Sequence, residues 1–193
     1  MKKLSTYLFL LLFSFQVPSW ADDIRDFQIE GMSIGDGLLD YFNEEEINNF
    51  HKVFYPNKKF YALDTFSSNY KVYEQVQFAL KNNDYKIYGI SGGILYKNNI
   101  KKCLEKKKSV LTELKNVFKN SKISSYKLKH SADKSGKSEQ HTTEISLGNR
   151  NGLVVVECID WSEKMGMENN WQDNLSVSIY LQEYVNFLRN EAF

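Results

Sequence analysis

Two cysteines set the strongest limit on how this chain can fold. Cys103 lies within Asn99 to Asn120, where Ile100, Leu104, Leu111, Leu114 and Phe118 recur at helical spacing, with lysines and Glu105 on the solvent side. Cys158 lies within Leu153 to Trp161, where Val154, Val156 and Cys158 alternate as one face of a strand. A bond between the two sulfurs would force that helix onto that sheet face. The 55-residue loop it closes corresponds to about 4 kcal/mol of chain-entropy stabilisation.

Pairing depends on the compartment, and the amino terminus bears on that. Lys2 and Lys3, the apolar run Leu4 to Phe15, Pro18 and the small residues around Ser19-Trp20-Ala21 form a secretory leader, residues 1–21. The apolar run falls short of the about 20 residues that span a bilayer. No cysteine lies near the cut, the first being Cys103, and every later apolar run is broken by charges, so neither a lipid anchor nor any other membrane anchor is expected on the mature chain, residues 22–193. That chain is expected in the periplasm or outside the cell. There, one intramolecular disulfide, Cys103 to Cys158, is the simplest outcome; free thiols and intermolecular pairing are the alternatives. The spacing is not the C-x-x-C of a redox site.

Composition excludes several classes. With 25 basic and 24 acidic residues, 42% hydrophobic residues and only two prolines in 193, the chain is neither collagen-like nor disordered. The charge balance also argues against a nucleic-acid partner.

Along the mature chain, Ser33 to Asp36 has the spacing of a helix start, and Asn43-Glu44-Glu45-Glu46 of a second N-cap with acids in its first turn. Phe60 to Phe66, Val72 to Leu80 and Tyr85 to Tyr96 have strand periodicity, the last two joined as a hairpin across Lys81-Asn82-Asn83-Asp84. Gly92-Gly93 marks a bulge or a close backbone approach. Ser121 to Gln140 is polar without a sustained period and reads as a long loop. His141 to Leu147 and Leu153 to Trp161 form another hairpin; Leu175, Val177 and Ile179 give a last strand, and Leu181, Tyr184, Val185 and Leu188 a closing helix. The expected fold is one α+β domain: an antiparallel sheet of about six strands, helices packed on one face, helix-then-three-strands occurring twice.

Chemistry-bearing residues are sparse. Gly136-Lys137-Ser138 resembles the end of a phosphate loop, but Ser131 stands where that motif needs glycine, so a solvated loop is expected. His51, His130 and His141 show no metal-ligand spacing, although folding could bring His130 and His141 together with Asp133 and Glu139. Glu157, Asp160 and Glu163 could provide paired carboxylates, but in a regular strand Glu157 and Asp160 point to opposite sheet faces, which disfavours that pairing. No catalytic residue, metal site or cofactor is therefore assigned. Trp161, Met165, Met167 and Trp171 cluster about Gly166, and large apolar residues in a connection are the sequence's best candidates for a ligand or partner surface.

The stretches Ile29 to Asp36, Ala132 to Ser138 and Glu157 to Ser162 together resemble a family of exported proteins, without assigned activity, from marine bacteria with small AT-rich genomes. More distantly, Gly31 to Phe42 followed by strands is similar to the helix-plus-sheet modules of the outer-membrane assembly lipoprotein BamE and of the β-lactamase inhibitor proteins. That likeness implies protein binding, although the lipobox cysteine of BamE is missing. The expected function is a non-enzymatic, exported binding or interaction protein whose partner is another envelope protein or a small ligand. The alternative is a small secreted hydrolase using carboxylates or a His-bound metal.

Overall fold

Alternating apolar residues build one large sheet, and a computed structural model describes it over residues 24, 27–119, 121–148 and 151–192. The leader expected at 1–21 lies outside the described residues. A two-residue hairpin opens the described chain, β1 (Gln28–Ile29) against β2 (Met32–Ser33), turning through Glu30 and Gly31, both at positive φ. Then follow α1 (Glu44–Asn49), β3 (His51–Phe54), β4 (Phe60–Phe66), β5 (Gln75–Lys81), β6 (Ile87–Tyr96) and α2 (Ile100–Val117). The second half contains β7 (Lys122–Lys129), β8 (Glu139–Ser146), β9 (Gly152–Asp160), α3 (Glu163–Asn169), β10 (Asp173–Leu181) and α4 (Gln182–Asn190).

The large sheet has eight strands rather than six, in the order β3-β4-β5-β6-β10-β9-β8-β7, with every neighbouring pair antiparallel. Each half is thus a helix followed by four strands, not three, and the last strands of the two halves pair along a central seam. The added strands are the edges. β3 is only four residues long, and β7 converts eight residues of the expected 121–140 loop into strand while β8 takes its last two, leaving 130–138 as the connection. Both edges are exposed along nearly their whole length. Neither therefore carries the one-sided apolar alternation that marks a strand in sequence, and lysines 122, 127 and 129 guard the β7 edge.

Helix α2 begins as its sequence dictates, Asn99 Oδ1 accepting from the Lys102 amide at 3.1 Å. It lays Cys103, Leu114 and Phe118 on a core that includes Ile90, Val154, Val156, Leu175 and Ile179. Cys103 and Cys158 are joined as a disulfide, Cα atoms 6.1 Å apart, both side chains fully buried. One lysine departs from the expected solvent side. Lys107 is buried under the helix, and its ammonium donates to the His141 carbonyl.

The expectation of helices on one face needs correction. Phe60 and Tyr61 are consecutive in β4 and point to opposite sides; Tyr61 joins the α2 core, while Phe60 packs with Ala79, Tyr88, Tyr184 and Phe187. Helix α4 therefore covers the other face, because β4, β5 and β6 are apolar on both sides there. The Ser33 start shrinks to a single 3-10 turn, Leu38–Asp40. Gly35 donates to the Ile87 carbonyl at 2.8 Å and Ile87 to that of Asp36 at 2.9 Å, drawing the segment alongside β6 instead. The Asn43 cap holds in full: Asn43 Oδ1 accepts from the Glu46 amide and the Glu46 carboxylate accepts from the Asn43 amide. Gly92 is the close approach, since a Cβ there would lie 2.5 Å from the Tyr73 ring; the bulge falls instead between Ala79 and Leu80.

Candidate binding surface

Strand β9 ends at Asp160, and Trp161 leaves the sheet. Ser162 then caps α3, its Oγ accepting from the Met165 amide at 3.4 Å. Asn170, left-handed at φ 55°, stops the helix, and Trp171 returns the chain to β10. The neck of this excursion is closed by Asp173, whose Oδ1 accepts the Trp161 amide at 3.0 Å. The Trp161 and Trp171 rings thereby meet, centroids 4.4 Å apart and planes inclined at 43°. Met167 and Trp171 stand outward, 74% and 38% exposed, while Met165 is half-buried. The four residues singled out in the sequence are thus neighbours on one short connection.

The structure adds a residue that sequence reasoning placed elsewhere. His130, from the β7–β8 loop, packs on Trp161 with centroids 4.3 Å apart. Burial pushes its imidazole below the ordinary histidine value, and Nδ1 accepts from the Ala132 amide at 3.2 Å, which leaves the proton on Nε2. The platform is therefore a cluster of three mutually tilted rings.

Behind it, Asp133 ties loop 130–138 to the start of α3. Its Oδ1 accepts from the Ser135 amide (2.9 Å) and hydroxyl (2.6 Å). Oδ2 accepts from the Ser138 amide (2.9 Å), the Ser138 hydroxyl (2.7 Å) and the Ser162 hydroxyl (2.9 Å), while the Ser162 amide donates to Ser138 Oγ at 2.9 Å. Hydroxyl and amide donors around the charged form hold the Asp133 carboxyl well below the usual carboxylate range. The spacing Asp133-x-Ser135-x-x-Ser138 was the available signal, but its partner Ser162 is remote in sequence. The network also commits Ser138, the last residue of the loop that resembled a phosphate cradle.

The other candidates are dispersed. His51 faces Asp64 at 3.2 Å on the far edge of the sheet. Glu139 is held at about 2 by Lys127 and Lys129, and His141 sits opposite Cys158 on β8. Glu157 and Asp160 point to opposite faces; Glu157 accepts from Gln140 (2.7 Å) and Thr142 (2.6 Å). Among the described residues, no three His, Cys, Asp or Glu side chains are gathered as a metal would require, and no helix is long and apolar enough to cross a membrane. Compared with family models, curated proteins and solved structures, the chain has no match.

Proposed function

We propose that this chain is an exported, non-enzymatic binding protein that presents Trp171 and Met167, backed by Trp161 and His130, to another envelope protein or a small ligand. The exposure of Met167 and Trp171 on a braced connection carries this reading. The braced indole offers apolar contact area with little motion left to lose on binding, and the exposed, flexible thioether beside it can adapt to the partner's shape. The Asp133 network and the disulfide serve it by fixing the scaffold beneath. Export through the leader ending at Ala21 belongs to the same proposal, as do membership of the exported marine-bacterial family and the likeness to BamE and the β-lactamase inhibitor modules.

The test is parallel capture from a native envelope extract with the wild-type protein and a Met167→Ala/Trp171→Ala variant, read by mass spectrometry. Loss of a discrete partner from the variant supports the reading. Retention of every partner contradicts it.

A further inference from the structure

Charge that balances over the whole chain is segregated in space. Residues 97–122 hold nine of the 25 basic residues but only two of the 24 acidic ones, Glu105 and Glu113. This segment is α2 with its two flanks. Lys107 is buried and Lys106 half-buried near Glu113, but Lys101, Lys102, Lys108 and Lys115 on the helix are exposed, as are Lys97, Lys119 and Lys122 beside it. None of these seven forms an ion pair among the described residues.

Three of them form a line along the helix. Lys101, Lys108 and Lys115 are seven residues apart, which places them on one side of the helix at steps of about 10 Å. Glu105 is the one exposed acid among them. A separate stripe of α2, about a third of a turn round, is fixed to the sheet through Cys103, Leu114 and Phe118, so the lysine row is displayed on a rigid bar about 27 Å long.

From this geometry we infer that the outer side of α2 docks the protein peripherally on an anionic lipid surface. The exposed row carries no aromatic ring on which a single-stranded base would stack. Segment 97–122 has no arginine for bidentate phosphate recognition, only point charges on flexible stems. A straight row of flexible cations suits a plane of diffuse negative charge, where each lysine adds attraction and none needs a defined partner. The inference is independent of the aromatic platform, which contributes none of these lysines.

Sedimentation of the full chain with vesicles of phosphatidylglycerol and phosphatidylcholine, against vesicles of phosphatidylcholine alone, tests it. The amino-terminal residues are common to every sample and cannot create a difference between variants. The expected result is binding to the anionic vesicles that high salt abolishes. Lys101→Gln/Lys108→Gln/Lys115→Gln should weaken it about a hundredfold, and the corresponding triple arginine variant should keep it. All substituted side chains are exposed, and unchanged circular dichroism and a retained disulfide check the fold. Equal binding to both vesicle types, unaltered binding by the glutamine variant, or tighter binding to a DNA duplex than to the anionic vesicles would each overturn the inference.

Discussion

Trp161 and Trp171 meet as tilted rings with centroids 4.4 Å apart because Asp173 grips the Trp161 amide and closes the ends of the connection on each other. The Asn99 and Ile100 amides at the start of α2 adjoin the same carboxylate and favour its charged form, against the burial that raises its pKa. The platform is therefore tied to the helix that the disulfide pins to the sheet, and its position follows from the scaffold rather than from its own short helix.

The disulfide should account for a large part of the stability of that scaffold. Cys103→Ala/Cys158→Ala is expected to lose about 4 kcal/mol, read from urea unfolding. A midpoint that hardly moves would mean that apolar packing alone positions α2.

Asp133 gives the platform an acid sensitivity of defined sign. Its folded carboxyl lies below the ordinary value of 3.8, so its stabilisation is complete above the unfolded value and is lost as pH falls below about 4. Asp133→Asn should be clearly less stable than wild type near pH 7, and the gap should be smaller near about pH 3, closing only once pH falls through the folded carboxyl's own lower value. A gap of equal size at both pH values would contradict the assigned network.

Lys107 adds a second rise of stability with pH, on the alkaline side. Burial lowers its ammonium from 10.5 to about 8, so between those values the unfolded chain holds a proton that the folded chain has released. Stability should therefore rise with pH across that window, relative to a Lys107→Met variant followed in parallel. Parallel pH profiles for the two proteins would place the amine in water.

Adjacent glycines of β6 should respond differently to one methyl group. Gly92→Ala meets the Tyr73 ring at 2.5 Å and should lose about 1–3 kcal/mol. Gly93→Ala meets nothing nearer than 3.6 Å and should change stability by less than about 0.5 kcal/mol. Thermal melts of the two variants distinguish them.

The parts legible in the sequence were those where one physical signal acted alone. The stripe from Ile100 to Phe118, the Asn43 cap and the alternation Val154-Val156-Cys158 each state their element, and the two cysteines state how two of them meet. The edge strands were hidden because exposure on both faces removes alternation, as in Lys122–Lys129. Helix α4 was placed on the wrong side because Phe60 and Tyr61, both aromatic, conceal which face each serves. At the site, Trp161, Met165, Met167 and Trp171 could be picked out by being large and apolar in a connection. His130 and Asp133 could not, since their roles depend on Ser162 and Trp161, about thirty residues away in sequence and adjacent only across the sheet end.

The most direct measurement of the central claim is photo-crosslinking in a native envelope extract, with a photoreactive residue in place of Met167 and, as a control, in place of the exposed Glu45 on α1. A discrete adduct from position 167 and none from position 45 is the predicted result. Equal adducts from both positions, or an adduct from position 45 alone, would contradict a binding surface built on Trp161 and Trp171.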